Sequence, residues 1–188
     1  MKNLKIELES KVNPYKDDPS ELLELWGKFA IHYENETLLN LEWDVASFIE
    51  WFAEKKEYLK VETFPFSFTN SIAESRKLLF DKIDDFSNLQ EQFAYEDQLT
   101  DYFMNHHFHL RGTTTPDFYI GLSPNGCGEI SYYDNEKYYV YSFDMGRFLE
   151  ETDKEIKQFL STMTVNNENK EYFQETLAEY YSYMKSNN

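Results

Sequence analysis

Histidine and cysteine are the residue types in this sequence whose spacing could support metal binding or nucleophilic catalysis. Three of the histidines lie in the segment His106–His109. If this segment is a strand, His107 and His109 share a face, because side chains alternate along a strand, and they could then bind a metal ion. A metal site normally requires three or four ligands, and the sequence has no HExxH spacing and no cysteine near the cluster. The sequence therefore predicts no metal site and no bound cofactor.

The single cysteine, Cys127, lies between Gly126 and Gly128 in a sequence typical of a turn. A catalytic cysteine needs a nearby base and a lowered pKa, so the fold would have to bring a histidine next to the thiol. The glycines do not form a phosphate-binding loop, because they lack the lysine and precede a predicted strand. We therefore predict that the protein is not an enzyme. A small enzyme or ligand-binding protein that uses Cys127 or the His106–His109 cluster is the alternative hypothesis.

Charge is distributed unevenly along the chain. The sequence contains 18 Lys and Arg against 35 Asp and Glu, a net charge of −17, which argues against nucleic acid and anionic membrane as partners because both would repel it. Between Ile83 and Glu136 the only Lys or Arg is Arg111. The acidic residues in this interval that we predict to bind a partner are Asp84, Asp85, Glu91, Glu96, Asp97 and Asp101. They would attract a cationic protein surface; alternatively, they form a solvated surface that keeps the protein soluble.

The elements that would position these residues include Gly112–Asp144, whose pattern predicts a meander of three antiparallel strands. The predicted strands are Asp117–Leu122, Glu129–Tyr133 and Tyr138–Phe143, separated by an Asn-Gly turn and a polar turn. In the last strand Tyr139 and Tyr141 share a face. These tyrosines would either cover a helix or form an aromatic docking surface, so Tyr139 and Tyr141 are also candidate partner-binding residues.

Hydrophobic periodicity predicts further strands and amphipathic helices. Alternation at Leu4, Ile6 and Leu8 predicts an N-terminal strand, and a hairpin is predicted at Gly27–Tyr33 and Thr37–Leu41. Helices are predicted after Asp44, Ser71, Ser87 and Asp144 and over Glu171–Lys185. Ser71-x-x-Glu74 and Ser87-x-x-Gln90 match the capping box, with a break between these two helices near residues 86–88 or, alternatively, one bent helix. The stripe expected to be buried on the second of them is Leu89, Phe93, Leu99 and Phe103.

These elements predict an α+β fold, in which an antiparallel sheet with a central three-stranded meander at about residues 117–143 is packed by four to five amphipathic helices. We expect one domain over residues 1–188, because a chain of this length can bury a core and no linker or repeat marks a boundary. The lone cysteine and the lack of an apolar run long enough for a signal peptide or membrane span predict a cytoplasmic protein.

Two blocks, residues 25–59 and 110–163, resemble an uncharacterised group of small bacterial proteins similar to the immunity proteins of polymorphic toxin and contact-dependent growth inhibition systems. The resemblance covers about half of the chain, at Trp26, Trp43, Arg111-Gly112, Gly128 and Phe148-Leu149. It implies a cytosolic antitoxin that binds and masks a toxin domain, and it assigns no functional residue.

The functional prediction is therefore a non-enzymatic, acidic, cytosolic immunity protein that binds a protein toxin with a basic surface. A nuclease would be such a toxin, because a protein that binds phosphate must present Lys and Arg. A structural or adaptor protein that uses the tyrosine-rich face is a further hypothesis.

Overall fold

The computed structural model describes residues 2–15, 25–62, 64, 70–162, 178 and 182. Within these residues the strands are β1 (Leu4–Ser10), β2 (Trp26–Tyr33), β3 (Glu36–Asp44), β4 (His107–Phe108), β5 (Phe118–Leu122), β6 (Gly128–Asp134) and β7 (Lys137–Phe143). The helices are α1 (Ala46–Val61), α2 (Ile72–Phe80), α3 (Leu89–His106) and α4 (Met145–Thr162). A turn of 3₁₀ helix, Ile83–Asp85, lies between α2 and α3. The predicted α+β class is confirmed.

The described strands form two antiparallel sheets, with the orders β1-β2-β3 and β4-β5-β6-β7. The predicted meander is confirmed as β5, β6 and β7, and β4 adds a short fourth strand at its edge. The chain divides into two compact units. The first is Glu57–Met145, which carries the four-stranded sheet with α2 and α3. The described part of the second runs from Lys2 to Lys56 and resumes at Gly146.

In the unit with the three-stranded sheet, the predicted apolar positions form the core. Phe48 and Phe52 of α1 are fully buried, and the Phe48 ring lies 4.8 Å from that of Phe29 in β2. Asp44 stabilises the start of α1, because its Oδ1 accepts hydrogen bonds from the amides of Ala46 at 3.0 Å and Leu25 at 2.9 Å. The predicted capping role of Asp44 is therefore confirmed.

In the unit with the four-stranded sheet, α2 and α3 pack on the sheet face that carries Tyr119 and Gly121. A Cβ atom on Gly121 would lie 2.8 Å from Cδ2 of His106 and 2.9 Å from the hydroxyl of Tyr102. The absence of a side chain at this position therefore allows α3 to lie directly on β5. The core residues on this face are Phe64, Ile72, Ala73, Leu79, Leu99, Tyr102, Phe103 and Tyr119.

The two turns predicted in the meander are confirmed, and each contains a residue with a positive φ angle. Asn135 and Glu136 have φ angles of 46° and 63°, as in the two-residue type I′ turn whose twist matches that of the flanking strands. Gly126 has a φ of 78° in the turn between β5 and β6, a conformation that glycine adopts without steric cost.

The predicted break between the second and third helices is confirmed, and one bent helix is excluded, because α2 ends at Phe80 and α3 begins at Leu89. The capping box predicted from Ser87 is wrong. Asn88 caps α3 instead, with its Oδ1 accepting from the amide of Gln90 at 2.9 Å. Asparagine at this position supplies the same kind of acceptor as serine, and it lies one residue closer to the helix.

The stripe predicted to be buried on α3 is only half correct. Leu99 and Phe103 are buried, but Leu89 is 67% exposed and Phe93 is 58% exposed. The buried side of α3 includes Tyr102 and His106 instead. These side chains are more polar than the apolar residues that the helical periodicity predicted to be buried. The helix predicted at Glu171–Lys185 lies outside the described residues, apart from Ala178 and Ser182.

The first turn of α2 is capped by the side chain of Ser71, which directly precedes the helix, and by side chains from β6. Ser71 Oγ accepts from the amide of Glu74 at 3.2 Å, which confirms the predicted cap. Glu129 Oε1 accepts from the amide of Ile72 at 2.7 Å, and Ser131 Oγ accepts from that of Ala73 at 3.0 Å. Glu129 is therefore a buried structural residue, and burial raises its pKa although the two hydrogen-bond partners partly offset the rise.

The raised pKa of Glu129 predicts a pH-dependent contribution to stability. The folded state favours the protonated carboxyl, so the stabilisation is complete below the ordinary pKa of 4.5 and is lost as pH rises through the folded pKa. Glu129→Gln keeps an acceptor for Ile72 and cannot ionise. We expect the free energy of unfolding of Glu129→Gln in urea to rise relative to that of the wild type as pH increases above 4.5.

Glu129→Ala is the control, because it leaves the Ile72 amide without its acceptor. We expect it to lower the free energy of unfolding by about 1–3 kcal/mol. A difference between Glu129→Gln and the wild type that does not change with pH would contradict the prediction.

Candidate protein-binding surface

The acidic residues of α3 lie on its exposed sides. The helix contains Glu91, Glu96, Asp97 and Asp101 and no Lys or Arg, and all four side chains are exposed. None of the four takes part in an ion pair with another described residue. The outer surface of α3 is therefore negative and is not neutralised by the described part of the chain.

These carboxylates are not all on one stripe of the helix. At about 100° per residue, Asp97 and Asp101 lie on the side opposite the buried face, and Glu91 and Glu96 lie toward its two flanks. Asp84 and Asp85 are also exposed, in the 3₁₀ turn that precedes α3. The structure thus brings Asp97 and Asp101 together as the centre of the candidate surface.

The charges of α4 provide a contrast within the same chain. Its acidic residues have described partners, namely Arg147 for Glu151, Lys154 for Glu150, Lys157 for Asp153 and the amide of Leu8 for Glu155. Three of these partners are one helical turn away, the spacing that stabilises a helix. Since α3 has no such described partners, ion pairs along the helix do not account for Glu96, Asp97 and Asp101, whereas Glu91 lies in the first turn, where a negative charge stabilises the helix.

Tyr139 and Tyr141 are not part of the same surface as α3. Both are half-buried, and their rings stack on Tyr132 with centroid distances of 5.0 Å and 6.4 Å. The strand register places them on the face of the sheet that carries Phe118, whereas α3 packs on the opposite face. The structure therefore separates the two groups of residues that the sequence suggested as one partner-binding set.

The histidine cluster divides into a buried part, His106, and a half-buried part, His107 and His109. His106 is fully buried and stacks on Tyr102 at 4.0 Å, and its Nδ1 donates to the carbonyl of Tyr102 at 2.7 Å. His107 Nε2 and His109 Nδ1 lie 2.8 Å and 3.3 Å from the same oxygen of Asp117. Among the described residues, no group of three or more His, Cys, Asp or Glu is arranged to hold a metal ion.

Glu62 lies beside His106 and was not singled out from the sequence. Its Oε2 is 3.9 Å from Nδ1 of His106 and accepts from Nδ2 of Asn105 at 3.4 Å. Burial raises the pKa of Glu62, the hydrogen bond from Asn105 opposes this rise, and the charge of Asp101 adds to it. Glu62 is half-buried and Glu129 is buried, and both positions depend on packing, so no local pattern distinguishes them from the exposed acids.

Cys127 belongs to a structured turn. Its amide donates to Asn125 Oδ1 at 3.1 Å, and its carbonyl accepts from the amide and the hydroxyl of Ser123, each at 2.9 Å. The thiol is half-buried, and no described base forms a hydrogen bond with it. The arrangement lacks the adjacent base that an activated cysteine requires.

A polar depression of about 430 Å³ lies beside β1 and β2. Its walls are formed by Asn3, Lys5, Glu7, His32, Glu34 and Asn35. The carboxylate of Glu7 already contacts Lys28 at 2.5 Å and His32 at 3.1 Å, and the Lys28 contact lowers the pKa of Glu7. These charges neutralise one another, in contrast to those on α3.

Comparison with known proteins does not assign the chain to a family. No protein-family model matches it, and neither a curated protein nor a solved structure is similar to it. None of the described helices combines the length and the apolar composition needed to cross a membrane. The candidate function therefore depends on the chemistry of the surface itself.

Substitution of the central carboxylates should leave the fold intact. Asp97→Asn with Asp101→Asn removes exposed charges that have no described ion-pair partner, so the free energy of unfolding in urea should change by about 0.5 kcal/mol or less at each site. Leu99→Ala, on the buried side of the same helix, should lower it by about 2–5 kcal/mol. Equal losses in the two variants would show that the carboxylates are structural.

Proposed function

We propose that this chain is a non-enzymatic protein-binding domain that acts as an immunity protein, covering the basic surface of a toxin domain. The observation that carries the proposal is the exposed surface of α3, where four carboxylates, with Asp97 and Asp101 at the centre, have neither a Lys or Arg in the helix nor a described ion-pair partner. A cationic protein would supply the missing counter-charges.

The sign of the charge selects the class of partner. Nucleic acid and anionic lipid carry the same sign as a chain of net charge −17 and would be repelled. A toxin that binds phosphate must carry Lys and Arg, and a protein that masks those residues must oppose them with carboxylates. The cytosol is the proposed compartment, because a toxin of this kind would be neutralised where its nucleic-acid substrate lies.

The alternative of a small enzyme has less support. The thiol of Cys127 has no described base beside it, His106 is buried against Tyr102, and His107 and His109 both contact Asp117. His107 and His109 are therefore engaged with Asp117, and none of the described histidines forms a hydrogen bond with Cys127.

Electrostatic steering gives the proposal a kinetic signature. Complementary charges raise association rates from about 10⁵–10⁶ M⁻¹s⁻¹ toward 10⁸–10⁹ M⁻¹s⁻¹ at low salt. This gain falls as ionic strength rises, because the screening length shortens to about 10 Å at 0.1 M. The toxin to use is the C-terminal domain of any large secreted protein encoded immediately upstream of this chain.

Asp97→Lys with Asp101→Lys should slow association with that toxin domain more than it speeds dissociation. The control is Glu50→Lys with Glu54→Lys, an exposed pair at the same i, i+4 spacing on α1, which changes the net charge equally. Stopped-flow rates at several salt concentrations provide the measurement. Equal slowing by the two variants would show that net charge, rather than α3, determines the rate.

Co-expression tests the immunity role itself. Cells that produce the toxin domain should grow when they also produce the wild-type chain. They should grow less well when they produce the variant Asp97→Lys with Asp101→Lys at the same expression level. Failure of the wild-type chain to restore growth would contradict the proposed function.

A further inference from the structure

The outer side of α3 also carries large apolar residues that the protein leaves exposed. Leu89 is 67% exposed, Phe93 is 58% exposed and Met104 is 66% exposed. A single exposed apolar residue is common on protein surfaces, but a row on one side of one helix is not explained by chance exposure. The row has the composition expected of a contact surface, in which Phe and Met are enriched.

These residues lie in line along the helix axis, with Leu89 and Phe93 at its start, Met104 near its end and the polar Thr100 between Phe93 and Met104. At about 100° per residue, Leu89, Phe93 and Met104 fall with Thr100 in a sector about 60° wide. The row is about 22 Å long, since it spans Leu89 to Met104 at about 1.5 Å per residue. It faces away from the buried side of the helix, which carries Leu99, Tyr102, Phe103 and His106.

Carboxylates border this row on both sides. Glu96 lies next to it on one side, and Asp97 and Asp101 lie next to it on the other, at about 100° per residue. Their exposure leaves them available to an external cation. An occupant of the row must therefore be apolar along its centre and positively charged along both edges.

We infer that α3 binds a cationic amphipathic helix of a protein partner, with the apolar side of that helix on Leu89, Phe93 and Met104. Two helices that pack side by side place apolar residues at the seam and charged residues beside it. A second copy of this chain is a poor occupant, because its net charge of −17 would place like charges along both edges. This inference deepens the proposed function, on which it rests for the identity of the partner.

The two kinds of side chain should act at different steps of binding. Border carboxylates attract the partner over a distance and govern the association rate. Apolar residues act only on contact, so their loss should appear in the dissociation rate. Phe93 is the expected anchor, because it is the largest apolar side chain of the row and aromatic anchors dominate interface energetics.

A synthetic peptide tests the inference without knowledge of the natural partner. The probe is a helix of about 18 residues, which matches the length of the row, with Leu on one side and Lys on the other. The comparison peptide has the same composition in an order that does not segregate Leu from Lys. We expect the full chain to bind the first peptide more tightly, by about tenfold or more.

Phe93→Ala and Met104→Ala should each raise the dissociation constant of the amphipathic peptide, Phe93→Ala by about tenfold, through faster dissociation. Tyr58→Ala, on the exposed side of α1, is the control and should have no effect. Circular dichroism of each variant checks that the fold is retained. Equal binding of the two peptides, or unchanged dissociation in Phe93→Ala, would overturn the inference.

Peptide binding and the growth assay together distinguish this inference from the proposed function. If the wild-type chain binds the amphipathic peptide through Phe93 but does not protect cells from the toxin, the helix-binding row stands and the immunity role fails. If Phe93→Ala protects cells as well as the wild type and the peptide does not bind, the immunity role stands and the row is not its contact surface.

Discussion

The packing of α3 on the four-stranded sheet is the constraint on which the rest of the structure depends. Because Gly121 has no side chain, α3 can lie directly on the sheet. Tyr102 and His106 of α3 lie within van der Waals distance of the position that a Cβ atom on Gly121 would occupy. Because the buried side of the helix is determined by this contact, so is the exposed side. The orientation that buries Leu99 and Phe103 therefore exposes Asp97 and the apolar residues next to it to solvent.

Most of the secondary structure could be predicted because its signals are local. Alternation along the meander, turn residues between its strands and acceptors before the helices act over a few residues. The meander, its turns and the caps at Asp44 and Ser71 were confirmed, whereas the cap predicted at Ser87 was wrong by one residue. The division into two sheets was not predicted. Strand pairing between segments far apart in sequence depends on tertiary packing, which the alternation of side chains does not encode.

The candidate site was only partly accessible to sequence reasoning, and α3 shows the reason. The helical period identified an apolar stripe that includes Leu89 and Phe93, but it could not show which part of that stripe the sheet would cover. Tyr102 and His106 took the buried positions because one aromatic ring stacks on the other and the His106 Nδ1 is satisfied by the Tyr102 carbonyl. Buried Glu129 was likewise hidden among exposed acids, since its hydrogen bond to Ile72 joins residues remote in sequence.

We propose that α3 is where the chain binds a cationic partner, and methionine methyl groups can report this binding directly. Met104 is 66% exposed on the outer side of α3, whereas Met145 is 7% exposed. In a ¹³C-methyl NMR titration with the cationic amphipathic peptide, the Met104 resonance should shift and saturate while that of Met145 stays in place. Saturable binding that leaves the Met104 resonance unmoved would contradict the account.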